Sequence, residues 1–351
     1  MFNPDRLELA RKRRRFTARI LAEKAGISPV TLSRIVNRLQ SPDDGTVAAL
    51  VGALGYPEAF FYKGDPATIS TNAASFRSLT SMTAAQRDAA LSAGELSYEL
   101  ADWIASRFSL PSLDLIDLGP NHEQDPAATA RMLRQHWAIG EKPIGSIIKL
   151  LEHKGIRVFS LSEDNRNVDA FSVWRGTEPY VFLNTLKSTE HSRFDAAHEL
   201  GHLILHRHGG PKGREAETEA NQFASAFLMP HADVQSALPY VASIDQIVRM
   251  KKRWGVSAVA LAYRLNKMGL LTEWQYIQVN RQYRTTEPDP MPPERSAVWQ
   301  MVLQELWRDG MSRSHIADCL KWPSEEVECL LFGLAASTVP PVRAVPLLKA
   351  V

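Results

Sequence analysis

The feature that most constrains this chain is His198-Glu199-Leu200-Gly201-His202, which has the pattern H-E-x-x-H. Apolar residues flank it at helical spacing, so we expect a largely buried helix. Residues four apart lie on one face of a helix, so His198 and His202 could bind one metal ion there. Glu199 would then lie where it could accept a proton from a water molecule at the metal. The motif predicts a zinc-dependent hydrolase, most simply a peptidase; the alternative is a pair of hydrogen-bonded core histidines.

A third metal ligand has to come from outside the motif, because a catalytic zinc ion takes three protein ligands and a water. His208 has the spacing of the longer pattern H-E-x-x-H-x-x-G-x-x-H, but a leucine stands where that pattern has glycine. The better candidates lie on a second predicted helix, residues 214–230, where Glu217 and Glu219 both border the apolar face. Asn221 on the same helix could orient a ligand histidine by a hydrogen bond to the ring nitrogen that does not bind the metal.

The residues before the motif alternate between helix and strand patterns. A helix over 145–153 is followed by strands over 156–161, 168–174 and 178–184. This order predicts an α+β domain. The strand just before the motif helix could offer its edge to an extended peptide.

The N-terminal end is basic, although the whole chain has a net charge of only +2. Residues 1–40 contain ten Lys or Arg and three Asp or Glu, whereas the remainder carries 31 basic and 36 acidic residues. Such asymmetry indicates a polyanion partner for this end. Residues 5–62 are predicted as short helices, with Gly26 in a tight turn and Ser28-Pro29 starting the third helix. The segment resembles the Xre/Cro/C1 family of DNA-binding domains.

That resemblance implies that the third helix enters the major groove of double-stranded DNA. The base edges are expected to be read by Thr31, Ser33 and Arg34, with Asn37 beside them and the phosphates contacted by Arg14, Arg19 and Arg38. Domains of this kind commonly bind two half-sites as dimers, so a homodimer is expected. The alternative is a small helical interaction module with a solvated charge run.

Two further segments resemble a peptidase family when they are taken together. F-D-A-A-H-E-L-G-H-L-I-L-H at 194–206 and E-x-E-A-N-x-F-A-x-x-F-L-M-P at 217–230 are similar to the ImmA/IrrE metallopeptidases, over roughly residues 140–265. The resemblance implies Zn²⁺ bound by His198, His202 and a helix glutamate, with Glu199 as general base. The E-x-x-A-N arrangement resembles the E-x-x-A-D segment of other H-E-x-x-H peptidases and favours Glu217 over Glu219. Members of the family cleave or antagonise Xre-type repressors, so the expected substrate is a repressor-type protein or the chain's own linker near residues 64–80.

The predicted fold is α+β and mostly helical. It comprises a five-helix helix-turn-helix domain at 1–63, a linker and connecting helices at 64–138, and a zincin-like peptidase domain with a small sheet at 139–280. A C-terminal helical module follows at 295–335. Its last helix contains Glu325, Glu326 and Glu328 and no basic residue. It should repel phosphate, so we expect it to serve as a protein-interaction or dimerisation module.

The chain has no run of 18 apolar residues, so no membrane partner is expected. Its two cysteines suit a reducing, cytoplasmic compartment. The sequence therefore predicts a DNA-binding transcriptional regulator that carries a zinc endopeptidase of regulated activity. The alternative is a DNA-binding regulator with a non-catalytic, sensor-like peptidase fold, such as an antitoxin or immunity component.

Overall fold

The N-terminal domain is a compact set of short helices. The computed structural model describes residues 1–70, 75–76, 82–120, 125–161, 170–209, 211, 213–331, 333–335 and 349–350. The domain's elements are α1 (Pro4–Arg13), α2 (Ala18–Lys24), α3 (Pro29–Val36), α4 (Asp44–Leu54) and a 3-10 helix (Glu58–Tyr62). Thr17, Ser28 and Asp43 cap α2, α3 and α4 by accepting a backbone N–H bond. The predicted five-helix domain is confirmed, and its fifth helix is of the 3-10 type.

A long connecting helix joins this domain to the rest of the chain. The connecting elements are β1 (Ser75–Phe76), α5 (Ala84–Ala105), β2 (Phe108–Ser109), α6 (Pro126–His136) and α7 (Ile147–His153). Glu99 of α5 forms ion pairs with both Arg6 and Lys63 of the N-terminal domain. Helix α5 is therefore fixed against α1 by charge as well as by apolar packing. Much of the predicted linker at 64–80 lies outside the described residues.

A small sheet supports the H-E-x-x-H helix. Its main strands are β3 (Arg157–Ser160), β4 (Ala170–Arg175) and β5 (Glu178–Leu183), and the order is β1-β4-β5-β3. β5 runs parallel to β3 and antiparallel to β4. The expectation that the strand before the motif helix offers its edge to a peptide is therefore wrong, because β5 is paired on both sides. β4 lies next to β5, and the two residues of β1 pair with its outer edge.

The motif helix α8 lies between this sheet and a second helix. The helices of this region are α8 (Thr189–Leu205), α9 (Arg214–Leu228), α10 (His231–Ala237), α11 (Ile244–Trp254), α12 (Ala258–Lys267) and α13 (Glu273–Tyr283). Helix α8 contacts β4 and β5 on one side and α9 on the other. Gly201 allows the close approach of α9, since a Cβ there would lie 3.0 Å from Phe223 Cδ1. This packing brings the polar residues of α9 next to the two motif histidines.

The C-terminal module packs within the chain. Its elements are α14 (Ala297–Arg308), α15 (Arg313–Leu320), α16 (Ser324–Leu331) and β6 (Lys349–Ala350), which pairs with β2. Trp299 of α14 packs on Phe159 of the sheet at 5.2 Å between ring centroids. Glu326 of α16 contacts Arg13 and Tyr56 of the N-terminal domain. The module that we expected to contact protein thus contacts both other parts of this same chain.

The mostly helical α+β prediction is confirmed by these elements. None of the helices in the described part of the chain combines the length and apolar character that a membrane span needs.

Candidate functional site

Three side chains converge where α8 and α9 pack together. The Nε2 atoms of His198 and His202 are 3.0 Å apart. The two carboxylate oxygens of Glu217 lie 3.2 Å and 3.3 Å from these nitrogens. The predicted first-choice glutamate therefore lies beside the motif histidines, on the helix that was expected to supply it.

The donor set fits a small divalent metal ion. The three ligand atoms all lie within 4.8 Å of one another. Two donors that each lie about 2.05 Å from a tetrahedral zinc ion are separated by about 3.3 Å, which is close to the three distances in this structure. Two imidazole nitrogens and one carboxylate oxygen are also a common ligand set of catalytic zinc sites. The group can hold a metal ion, and its geometry does not by itself identify the metal.

The outer nitrogens of both histidines are held by hydrogen bonds. His198 Nδ1 lies 3.1 Å from Asn221 Oδ1, the residue that the sequence placed behind a ligand. His202 Nδ1 lies 2.8 Å from His206 Nδ1, and His206 Nε2 lies 3.0 Å from Glu219 Oε2. One consistent set of tautomers has Nδ1–H donating on both motif histidines, which leaves each Nε2 lone pair for a metal. Glu219, the alternative third ligand, contacts His206 and is outside the donor group.

Glu199 is fully buried next to the two histidines. Ser172 Oγ of β4 donates a hydrogen bond of 2.7 Å to Glu199 Oε2. Since Ser172 lies in a strand with backbone bonds on both sides, it fixes the carboxylate against a rigid support. An ionised carboxylate in this position can accept a proton from a group on the metal side.

The charge state of the centre follows from its neighbours. Burial raises the pKa of Glu217, but hydrogen bonding and electrostatic attraction to His198 and His202 outweigh it and lower the pKa to about 2. Burial lowers the pKa of His206, against the opposing effect of its hydrogen bond to Glu219. Glu217 is therefore anionic at neutral pH, and His206 favours its neutral form.

Some residues near the site were not found from the sequence. His208 Nε2 lies 2.6 Å from Asp117 Oδ1 and is not part of the donor group, so His208 does not complete the longer H-E-x-x-H-x-x-G-x-x-H pattern. The sequence did not predict the hydrogen bond from Ser172 to Glu199, or the contacts that link His202 through His206 to Glu219. A polar residue at an inward position of a strand that packs on the H-E-x-x-H helix is a signal that could have identified Ser172.

The predicted DNA-reading helix presents its polar residues to solvent. Ser33, Arg34, Asn37 and Arg38 are exposed, and Thr31 is half-buried. Asn37 Nδ2 donates to the Ser33 carbonyl over 2.8 Å. The surface of α3 is therefore open to a partner.

The predicted phosphate contacts have different surroundings. Arg19 is exposed, and Arg38 forms an exposed ion pair with Asp5 at 2.7 Å. Arg14 instead donates to Glu325 of α16 over 2.5 Å and to the Leu54 carbonyl over 2.8 Å. Arg14 is thus engaged by the C-terminal module in this structure.

Comparison with protein families agrees with both halves of this description. Residues 151–266 match the peptidase family M78, described as the IrrE N-terminal-like domain, and residues 7–61 match a family described as helix-turn-helix. No curated protein matches the chain significantly. The first match implies a peptidase-like domain and the second a DNA-binding regulator, in the order expected from the sequence. The chain therefore combines an N-terminal segment similar to helix-turn-helix domains of Xre type with a later segment similar to the IrrE N-terminal-like domain of peptidase family M78.

Proposed function

We propose that this protein is a DNA-binding transcriptional regulator whose second domain is a zinc-dependent endopeptidase. The observation that carries the proposal is the convergence of His198, His202 and Glu217, with Glu199 held beside them by Ser172. A purely structural metal site would need only its ligands. It would not require Glu199, a buried carboxylate that lies beside the three ligands without being one of them. We expect one Zn²⁺ per chain, bound by these three residues.

Zinc, when bound, would polarise the scissile carbonyl and make an attacking water more acidic. The protein's own residues do the rest. Glu199 accepts the proton of the attacking water and passes it to the leaving amine. Asn221 and His206 hold the two imidazole rings in the orientation that points Nε2 inward.

The substrate that we propose is a repressor-type protein or the chain's own linker near residues 64–80. One contact favours the linker as a candidate. Ser75 of β1 is paired with Ser172 of β4, the residue that donates to Glu199. An extended segment of the linker therefore pairs with the strand next to the general base, in the antiparallel manner in which strand-adding peptides bind.

The DNA-binding part of the proposal rests on the exposed face of α3. Thr31, Ser33 and Arg34 would contact base edges with Asn37 beside them, and Arg19 and Arg38 would lie near phosphates, on two half-sites read by a homodimer. Arg14 can contact a phosphate only after it leaves Glu325. Docking of α16 on the N-terminal domain is thus one way in which the rest of the chain could influence DNA binding.

The proposed function is tested with Glu199→Gln. Zinc-loaded protein is incubated alone and with a repressor-type protein encoded beside it, with and without duplex DNA, and the products are identified by intact-mass spectrometry. Wild type is expected to cleave one of these substrates. Glu199→Gln should lose cleavage while it keeps its zinc, because Glu199 is not one of the three donors.

The matched control is Glu215→Gln, which removes the same charge from an exposed position on α9. It should cleave as wild type does. Undiminished cleavage by Glu199→Gln would show that Glu199 is not the general base. Absence of cleavage in zinc-loaded wild type with every substrate would favour the non-catalytic, sensor-like alternative.

A further inference from the structure

A large cavity lies behind the metal centre. It has a volume of about 420 Å³ and lies between α8, α9, α12 and α13. This volume is within the range of about 300–1,000 Å³ typical of small-molecule sites. Asn221 lines the cavity and also contacts His198 Nδ1, whereas the three donor atoms meet at the Nε2 side. The cavity therefore adjoins the metal centre through Asn221, the residue that contacts His198.

The inner end of the cavity carries an excess of buried negative charge. Glu190 and Glu287 both line it, and both form ion pairs with Lys251, at 2.7 Å and 2.9 Å. Lys251 and Glu190 are fully buried, and Glu287 is nearly so in its side chain. Two carboxylates thus share one ammonium group. Arg193 on the same helix also attracts Glu190, but it is paired with Glu294, so these two cations and three carboxylates keep an excess of one negative charge.

One oxygen of this group lacks a partner within the described part of the chain. Glu190 Oε1 accepts from Lys251 Nζ and from the Met291 backbone N–H. Glu190 Oε2 is buried and accepts no hydrogen bond from any of the described residues. A buried carboxylate oxygen without a donor is costly. Glu190 lines the cavity, so a cationic ligand bound there would offset this uncompensated negative charge.

The walls of the cavity suit an organic cation. Tyr263, Tyr276 and Tyr283 line it. The rings of Tyr263 and Tyr276 lie edge to face, with centroids 6.0 Å apart. Aromatic faces attract ammonium groups and also pack against an apolar body. Arg284 lines the cavity too, but it is exposed. Solvent and salt therefore screen its positive charge.

We propose that this cavity binds a small organic amine in its cationic form. The ammonium group lies at the Glu190 end, and the apolar body lies among the tyrosines. The bound amine contacts Asn221, which holds His198, so the cavity is a small-molecule site adjoining the metal centre. Binding itself depends on neither zinc nor Glu199.

The proposal is tested by calorimetric titration of the full chain with three probes of similar shape: phenethylamine, phenethyl alcohol and 3-phenylpropanoate. The amine should bind with one-to-one stoichiometry, at least about 10-fold more tightly than the neutral or anionic probe, as expected for a charge-assisted hydrogen bond. The same titrations on metal-depleted protein and on Glu199→Gln should give the same preference. This separates the result from the success or failure of the peptidase proposal.

Tyr276→Leu should weaken amine binding about 10-fold through loss of the aromatic face. Tyr240→Leu is the matched control, because Tyr240 is 70% exposed and is outside the cavity lining, and it should bind as wild type does. Glu190→Gln should abolish the preference for the amine over the alcohol, with folding checked by circular dichroism. Equal binding of the three probes, absence of amine binding at millimolar concentration, or an unchanged affinity in Tyr276→Leu would each overturn the proposal.

Discussion

Helix α16 contacts the N-terminal domain through ion pairs of two adjacent glutamates, Glu325 and Glu326. Substituting each glutamate in turn tests how much burial contributes to this contact. Glu326 accepts from Arg13 Nε over 2.8 Å and from the Tyr56 hydroxyl over 2.9 Å. The side chains of Glu326 and Arg13 are only 2% and 9% exposed. The neighbouring Glu325 pairs with Arg14, but its side chain is 60% exposed. Both glutamates therefore neutralise arginines at the end of α1, in very different surroundings.

Glu326→Gln should weaken the contact far more than Glu325→Gln. Removing one partner of a buried ion pair leaves the other charge uncompensated and costs about 3–5 kcal/mol. The neutral amide that replaces the carboxylate can still accept one hydrogen bond, so we expect about 3 kcal/mol, the lower end of that range. Glu325→Gln breaks a solvent-exposed pair and should cost no more than about 1 kcal/mol.

The assay is hydrogen exchange of peptides from α16 and α1, followed by mass spectrometry. A cost of about 3 kcal/mol in local opening corresponds to exchange that is on the order of 100-fold faster. Exchange in β5, which is distant in sequence and central in the sheet, should stay unchanged in both variants. Equal exchange rates in α16 for Glu325→Gln and Glu326→Gln would refute the argument that burial sets the strength of this contact.

Three other predictions follow from single contacts. Ser172→Ala removes the donor to Glu199 and should lower the cleavage rate about 10-fold while zinc content stays constant, by metal analysis. Burial raises the pKa of Glu152 from 4.5 to about 7, so the folded chain keeps a proton that the unfolded chain has lost in this range. The free energy of unfolding should therefore fall by up to about 3 kcal/mol as pH rises through that window, and Glu152→Gln should lose this drop in denaturant titrations at several pH values. Arg34→Ala should weaken operator binding about 10- to 100-fold in gel-shift assays, whereas Arg249→Ala, which removes the same charge from an exposed site outside this domain, should not.

Local sequence signals predicted much of the fold and of the site. Helix periodicity placed His198 and His202 on one face, and the apolar pattern of α9 left Glu217 and Asn221 at the border of its buried face. Capping and turn chemistry around Ser28 defined the helix-turn-helix. These features succeed because they depend on residues within one or two helical turns of each other.

The features that the sequence did not predict depend on contacts between distant residues. The partner of Glu326 is Arg13, 313 residues away, and nothing local selects it. The position of β5 inside the sheet depends on the parallel pairing with β3, which the strand pattern alone does not determine. The bond from Ser172 to Glu199 likewise arises only when β4 packs on α8.

The most direct test of the central claim is the zinc stoichiometry of Glu217→Ala and Glu219→Ala, measured by native mass spectrometry beside wild type. Both changes remove a carboxylate from the same helix, but only Glu217 lies in the donor group, while Glu219 contacts His206. We predict one zinc ion per chain in wild type, retention of zinc in Glu219→Ala, and loss of most zinc in Glu217→Ala. Full zinc occupancy in Glu217→Ala would contradict the proposed metal centre.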